Sequence, residues 1–335
     1  MESNKKQRIQ FLRYNVDIMP KTFVSIASYR DPELTRTLKS MLDNADRPQD
    51  LNITVVVQDR KEDFPDLSFV PNITYIKMDY IDALGPCYAR KVAQQTYQGE
   101  EYYLQLDSHI LFVKGWDTKL FDIYKQAKQI CNKPIITHYP PGYKVLKNGG
   151  IEYDASQKDT DVLKVISDNV KVLRGWRNGW HGPRNVPAES KVVAAGFLFS
   201  EGNIVSEVPY DERIFFVGEE ITYSLRAYTR GYRFFAPQYP ICYHFNGREG
   251  YPKFWTRGDD VRRGIKWSQL ERSSRAVIHK ILVGIEKAHM DQQMTSWQNN
   301  IKSLLELTLK IIMPTVENNE HLLDRSNRWK KELYF

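Results

Sequence analysis

Residues 101–113 read EYYLQLDSHILFV, and this stretch decides both the fold and the place of the candidate site. A run of apolar and aromatic side chains meets Asp107-Ser108-His109 and then returns at once to apolar residues. A charge that is buried without a partner costs several kcal/mol, so Asp107 and His109 need water, a protein partner or a bound ion. In an extended segment residues i and i+2 point the same way, so the carboxylate and the imidazole face one spot.

The chain before this stretch alternates strands and helices. Runs rich in β-branched residues predict strands, and an amphipathic run after Asp31 predicts a helix with Asp31 as its N-cap and Pro32 as its first residue. The strand runs are TFVSIAS at 22–28, LNITVVVQD at 51–59 and NITYIKM at 72–78, and ALGPCYARKVAQQTY at 83–97 predicts a second helix. This β-α-β-β-α-β order predicts a mostly parallel sheet with helices on both faces.

Polar residues stand where three of these strands end. Ser28, Tyr29 and Arg30 follow the first strand, Asp59 ends the second, and Asp107 ends the fourth. In parallel sheets the ligand lies beyond the carboxyl ends of the strands. The three polar groups therefore predict one shared crevice.

The remainder of the chain is less regular. Residues 142–190 are rich in Gly, Asn, Asp and Lys and predict a long surface loop of the kind that serves as a lid or binding loop. KVVAAGFLFS at 191–200 predicts a strand, and residues 217–237 predict a helix followed by a strand. YPICYHFNGREGYPKFW at 239–255 reads as irregular, and the pattern is helical from about residue 254 onward.

Composition and charge narrow the class of protein. The three cysteines (Cys87, Cys131 and Cys242) form no CxxC pair, which favours a reducing compartment, and the N-terminus lacks the apolar region of a secretory signal. We therefore expect a cytoplasmic protein. Residues 251–335 contribute +5 of the net charge of +7. A basic region of this kind suits a membrane-surface or homo-oligomer contact, and the simpler interpretation is a solvated helical surface. No base-reading motif accompanies this modest charge, so nucleic acid is not an expected partner.

A divalent metal ion is the partner that the Asp-Ser-His motif suggests. Mixed oxygen and nitrogen ligands suit Mn²⁺ better than Ca²⁺, with phosphate oxygens completing the shell. An isolated Asp-x-His triplet is more often a turn-capping carboxylate beside a satisfied histidine. Its position at the end of the fourth strand favours the metal.

Six segments occur in an order that resembles a known family: TFVSIASYRDPEL, GPCYAR, YYLQLDSH, AAGFLFS, DERIFFVGEE and YHFNGR. They resemble metal-dependent nucleotide-sugar glycosyltransferases of the GT-A fold. The DSH spelling is similar to the DxH variant of polypeptide N-acetylgalactosaminyltransferases, and the overall match is closest to the GT60 family, the cytosolic Skp1-type polypeptide N-acetylglucosaminyltransferases.

The resemblance implies an α/β GT-A fold, a Rossmann-like mixed sheet flanked by helices. It assigns residues 21–250 to the catalytic domain with the 142–190 loop as an excursion. Residues 1–20 are then an N-terminal extension, and residues 251–335 a helical, basic C-terminal region.

The resemblance also implies roles for single residues. Asp107, His109 and His244 match the metal ligands, and Arg90 matches the basic position that steadies the diphosphate. Asp59 matches the position where the family has a carboxylate near the uracil ring.

Four further positions complete the implied site. Ser28 and Arg30 lie beside the nucleoside. Gly196, after Ala195, is where backbone approaches the donor sugar. Of the paired acids, Glu219 is expected to bind sugar hydroxyls or stabilise developing positive charge, and Glu220 to be structural.

The implied reaction is retaining transfer of GlcNAc from UDP-GlcNAc to a Ser, Thr or hydroxyproline hydroxyl of a protein, with Mn²⁺ or Mg²⁺. Another UDP-sugar with a glycan or lipid-linked acceptor is an alternative, as is a catalytically silent module that binds a UDP-sugar or a partner. The segment from Trp176 to His181 closes over the donor, holds the acceptor or is simply a stable loop.

Overall fold

A computed structural model describes residues 21–154, 159–167, 173–180, 183–247, 250–256 and 258–290. The strands are β1 (Thr22–Tyr29), β2 (Leu51–Asp59), β3 (Ile73–Asp79), β4 (Tyr102–Asp107), β5 (Ile110–Phe112), β6 (Pro134–Thr137), β7 (Gly142–Val145), β8 (Ile151–Tyr153), β9 (Leu163–Ser167), β10 (Leu173–Arg177), β11 (Ala188–Ser190), β12 (Phe197–Glu201), β13 (Arg233–Ala236) and β14 (Cys242–Phe245). The helices are α1 (Leu34–Asn44), α2 (Pro86–Gln94), α3 (Trp116–Ile130), α4 (Ile204–Glu207), α5 (Glu219–Tyr228), α6 (Asp259–Arg263) and α7 (Trp267–Met290).

Eight strands form one mixed sheet in the order β11-β13-β6-β12-β4-β1-β2-β3. The half made of β4, β1, β2 and β3 is parallel throughout. In the other half β12 runs antiparallel to both β4 and β6. The expected mixed sheet is thus confirmed, and its parallel half is the part that the β-α-β-β-α-β order predicted.

Helices cover both faces of this sheet because side chains alternate along each strand. On β1, Val24 and Ile26 enter the core that includes residues of α1 and α3, whereas Phe23 enters the core that includes residues of α4, α5 and α7. Each fully buried aliphatic or aromatic side chain contributes about 1.5–3 kcal/mol. The resulting two-sided packing fixes the strand ends that carry the site.

The register of the parallel strands brings the predicted polar residues to one edge. Ala27 of β1 pairs with Asp107 of β4, and Tyr29 pairs with Gln58 of β2. The ends of β4, β1 and β2 therefore lie side by side, as the sequence predicted.

The first helix differs from its prediction. It begins at Leu34 rather than at Pro32, and its N-cap is Glu33 rather than Asp31. One oxygen of the Asp31 carboxylate still accepts the N–H of Glu33, at 3.1 Å. The other oxygen turns away from the helix toward residues 108 and 109, so tertiary contacts outweigh the capping preference.

Two segments that the sequence left irregular contain strands. The described part of 142–190 holds β7 and β8, the paired strands β9 and β10, and the edge strand β11. Within 239–255, β14 joins a four-stranded sheet in the order β5-β14-β7-β8. These strands of three to five residues are too short to show a clear period.

The C-terminal region begins as predicted. Helix α7 buries Val277, Ile278 and Leu282 in the core beneath α5. Residues 1–20 and the predicted helix IKSLLELTLKIIM at 301–313 lie outside the described residues. Among the helices that are described, none combines the length and the apolar character needed to cross a membrane.

Candidate active site and metal centre

Asp107 lies at the carboxyl end of β4, held between an arginine and a glycine. Arg90 Nη2 donates to Asp107 Oδ1 at 2.9 Å. The Asp107 N–H donates to the carbonyl of Gly196 at 3.1 Å. A Cβ on Gly196 would lie 2.5 Å from Asp107 Oδ2, closer than real contacts allow. Glycine at 196 therefore makes room for the carboxylate.

His109 points to the same spot as Asp107, as the extended spacing predicted. Its ring is buried, and Nδ1 lies 2.7 Å from Asp31 Oδ2. An imidazole nitrogen beside a carboxylate carries the proton, so Nε2 is left with its lone pair. That Nε2 atom faces His244.

His244 reaches the motif because β14 pairs with β5, in the register His244 to Ile110. Its Nδ1 lies 3.1 Å from the Oδ1 of Asn246, a contact in which Nδ1 can donate and leave the lone pair on Nε2. His244 Nε2 lies 2.9 Å from His109 Nε2 and 3.6 Å from Asp107 Oδ2. The two ring centroids are 4.5 Å apart.

These three side chains fit a divalent metal ion. One ligand atom from each of Asp107, His109 and His244 lies within 4.8 Å of the others. When both Nδ1 atoms donate to their oxygen partners, the two Nε2 lone pairs and a carboxylate oxygen face one point. Such an arrangement is repulsive unless a cation lies at that point, and its mixed oxygen and nitrogen donors suit Mn²⁺.

The electrostatics of the cluster favour metal-binding protonation states. Burial alone would raise the pKa of Asp107, but His244 and the charge of Arg90 lower it well below its ordinary value. Burial lowers the pKa of His109, although the hydrogen bond to Asp31 opposes this. Metal ligands must be deprotonated, so an ionised carboxylate and a neutral imidazole are the forms required.

Arg90 and Glu219 form a buried ion pair next to the cluster. Arg90 Nη1 donates to Glu219 Oε1, and both side chains are 5% exposed. Burial, together with the charge of Glu219, raises the pKa of the neighbouring Cys87 thiol. The guanidinium thus bridges the N-terminal residue of α5 and the carboxylate that ends β4.

Glu220 makes different contacts. Its Oε1 accepts the N–H of Ala195 at 3.0 Å, and its Oε2 accepts the hydroxyl of Tyr139 at 2.5 Å. Burial raises the pKa of Glu220 to about 7, although both hydrogen bonds oppose the shift. Glu220 therefore fixes the backbone next to Gly196, the stretch that the sequence predicted to approach a donor sugar.

The ends of β1 and β2 form the other side of the crevice. Arg30 Nε lies 3.7 Å from Asp59 Oδ1, and Arg30 Nη1 donates to Asp259 of α6 at 3.0 Å. Arg30 has a left-handed φ of 45°. Ser28 is buried, and its carbonyl accepts a hydrogen bond from Gln58 at 3.2 Å. Burial raises the pKa of Asp59.

The aromatic-basic segment after Gly175 is only partly described. Arg177 donates to the carbonyl of Pro140 at 2.7 Å, which ties β10 to the end of β6. Trp176 is half exposed, and His181 lies outside the described residues. A Cβ on Gly175 would lie 2.5 Å from the Tyr139 hydroxyl and 3.3 Å from Glu220 Oε2, so this ribbon runs beside Tyr139 and Glu220.

Three residues near the site were not predicted from the sequence: Asp31, Asn246 and Asp259. Asp31 contacts His109, Asn246 contacts His244, and Asp259 contacts Arg30. Asp31 and Asn246 stand within two residues of predicted site positions, and this proximity is the only sequence feature that marks them.

Comparison with solved structures identifies the fold. A crystal structure of GalNAc-T7 with UDP, GalNAc and Mn²⁺ superposes with a TM-score of 0.54 at 14% identity, covering 77% of this chain and 54% of that one. Residues 1–349 of TarS from S. aureus superpose with a TM-score of 0.50 at 11% identity, covering 89% and 73%. The chain thus spans about half the length of the GalNAc-T7 chain. At these identities the likeness concerns the fold, which is the GT-A fold of glycosyltransferases.

The family follows from the sequence profile. The profile of the glycosyltransferase (GlcNAc) family matches residues 21–71 and 66–305, and the chain belongs to this family. No curated protein sequence matches the chain.

Proposed function

We propose that this protein is a metal-dependent retaining glycosyltransferase that moves GlcNAc from UDP-GlcNAc to a Ser, Thr or hydroxyproline hydroxyl of a protein, as Skp1-type GT60 enzymes do. The observation that carries the proposal is the convergence of Asp107, His109 and His244 at the end of the central strands. Membership of the GlcNAc family supports the choice of sugar. The three free cysteines support a cytoplasmic location.

The nucleoside of the donor fits the ends of β1 and β2. Asp59 offers a carboxylate that can accept the N3–H of uracil, at an edge where ligands of parallel sheets bind. Arg30 and Ser28 lie on the adjoining strand end. The guanidinium of Arg30 is held by Asp259 and lies 4.9 Å from the centre of the Tyr80 ring.

The diphosphate fits between this edge and the three metal ligands. A bound Mn²⁺ or Mg²⁺ supplies Lewis-acid stabilisation of the leaving diphosphate, worth several kcal/mol. Arg90 orients Asp107 through its 2.9 Å hydrogen bond. It also places a fixed positive charge beside the leaving diphosphate. The hydrogen bonds to Asp31 and Asn246 keep both imidazoles turned toward the site.

The sugar then lies against Gly196, with Glu219 and Glu220 behind it. Glu220 holds the backbone at Ala195, and Glu219 holds Arg90. The Glu219 carboxylate adds negative charge near the carbon where an oxocarbenium-like transition state develops positive charge. In front-face substitution a donor phosphate oxygen takes the acceptor proton, so this chain need not supply a base.

The test is release of UDP from a panel of UDP-sugars with Mn²⁺ and with EDTA. UDP-GlcNAc is expected to be the best donor, and EDTA or Asp107→Asn is expected to abolish release. Asp66→Asn is the matched control, because Asp66 is an exposed carboxylate that accepts the N–H of Ser68 within its own turn. Release that ignores EDTA and survives Asp107→Asn would defeat the metal proposal. Binding of UDP-GlcNAc without any turnover would favour the silent binding module.

A further inference from the structure

Asp31 is a buried carboxylate that contacts the Asp-Ser-His motif but is not one of the three proposed metal ligands. Its side chain is 1% exposed. Three donors converge on it: Ser108 Oγ at 2.8 Å and His109 Nδ1 at 2.7 Å meet Oδ2, and the Glu33 N–H meets Oδ1 at 3.1 Å. Two consecutive residues of the Asp-Ser-His motif therefore share one acceptor oxygen.

We propose that Asp31 is a positioning residue for metal binding, which holds His109 as the tautomer protonated on Nδ1. With the proton there, the lone pair of Nε2 points toward Asp107 and His244. The other tautomer would place a hydrogen on Nε2 and remove one of the three ligands. The partner of the second ring nitrogen commonly sets the tautomer and basicity of a metal-binding histidine. This inference rests on the metal site of the proposed function.

The surrounding structure fixes Asp31 and the motif as one unit. Asp31 follows Arg30, whose φ of 45° turns the chain, and precedes Pro32. From α1, Thr37 Oγ1 donates to the carbonyl of Ser108 at 2.9 Å and accepts the N–H of Ile110 at 2.8 Å. The motif is thus held on both sides of His109 by α1 and at its ring by Asp31.

A merely structural role for Asp31 makes a different prediction. A buried carboxylate that only satisfies nearby donors would stabilise the fold without changing the metal affinity of the folded protein. Asp117 is such a carboxylate: it is 3% exposed and accepts the backbone N–H groups of Asp46 and Arg47 at 2.9 and 2.8 Å. Asp117→Asn is therefore the matched control for Asp31→Asn.

The first experiment measures Mn²⁺ affinity by electron paramagnetic resonance in the full chain without nucleotide. In Asp31→Asn the amide NH₂ replaces either Oδ2, where Ser108 and His109 both lose their acceptor, or Oδ1, where the Glu33 N–H loses its acceptor. In the second orientation His109 faces a neutral amide oxygen in place of a carboxylate. The dissociation constant is expected to rise about 10–100-fold, the usual effect of losing such a partner. It is expected to stay within about threefold in Asp117→Asn. A rise below tenfold in Asp31→Asn, or an equal rise in Asp117→Asn, would overturn the proposal.

The second experiment uses the wild-type protein, so it does not depend on whether Asp31→Asn folds. Long-range ¹H–¹⁵N spectra of the metal-free wild-type protein report which ring nitrogen of His109 is protonated, with the signals assigned by their loss in His109→Gln. The proposal expects Nδ1, and protonation on Nε2 overturns it. Absence of Mn²⁺ binding by the wild type both without and with UDP would instead contradict the proposed function, while the tautomer would still test Asp31.

Discussion

Glu219→Gln tests whether the buried pair of Glu219 and Arg90 stabilises the core of the site. The substitution keeps the shape of the side chain and removes its charge. Arg90 is 4% exposed and would retain its ion pair with Asp107. Removing one partner of a buried ion pair costs about 3–5 kcal/mol, because the remaining charge stays out of water. We expect the lower end, about 3 kcal/mol, since the amide oxygen of glutamine can still accept a hydrogen bond.

The measurement is urea unfolding followed by circular dichroism, with Glu189→Gln as the matched control. Glu189 lies 4.0 Å from Lys191, and both side chains are more than 40% exposed. An exposed pair of this kind contributes at most about 1 kcal/mol. A loss in Glu219→Gln no larger than that in Glu189→Gln would refute the view that Glu219 anchors Arg90. Activity of Glu219→Gln should then be compared only below its unfolding transition, so that stability and catalysis are separated.

Three further substitutions test other parts of the site. In Glu220→Gln the amide oxygen can still accept the Ala195 N–H and the amide NH₂ can donate to the Tyr139 hydroxyl oxygen, while the charge is lost. Because burial raises the folded pKa from 4.5 to about 7, the wild type should lose up to roughly 3 kcal/mol of stability relative to the variant as the pH rises from about 4.5 to about 7. Parallel unfolding curves across this range would contradict the shift. Gly196→Ala should push the Asp107 carboxylate aside and lower kcat/KM on the order of a hundredfold. Gly284→Ala should not change it, because a Cβ there meets nothing within 4 Å among the described residues. Asp59→Ala should weaken UDP binding about 10–100-fold in calorimetry with no change in Mn²⁺ affinity, and unchanged UDP affinity would remove Asp59 from the site.

Local sequence pattern was sufficient for the parallel half of the sheet. The runs that became β1, β2 and β4 are long and rich in β-branched or aromatic residues, and the polar residues at their ends mark the crevice. The spacing of Asp107 and His109 predicted that both side chains face one point. His244 was located only through the family resemblance, because β14 is four residues long and His109, which His244 contacts, is 135 positions away.

The supporting contacts could not be read from the sequence, since they join distant segments. Asp31 meets His109 across 78 positions, Arg90 meets Glu219 across 129, and Arg30 meets Asp259 across 229. Each contact depends on how helices pack on the sheet, which local periodicity does not encode. The predicted N-cap role of Asp31 was wrong because its carboxylate accepts hydrogen bonds from Ser108 and His109, which lie far away in the sequence.

The most direct measurement is the manganese anomalous signal from crystals grown with Mn²⁺ and UDP. We expect one anomalous peak that contacts a carboxylate oxygen of residue 107 and the Nε2 atoms of residues 109 and 244, with diphosphate oxygens on its open side. A peak elsewhere in the molecule, or UDP bound in the crevice with no peak beside these three side chains, would contradict the account.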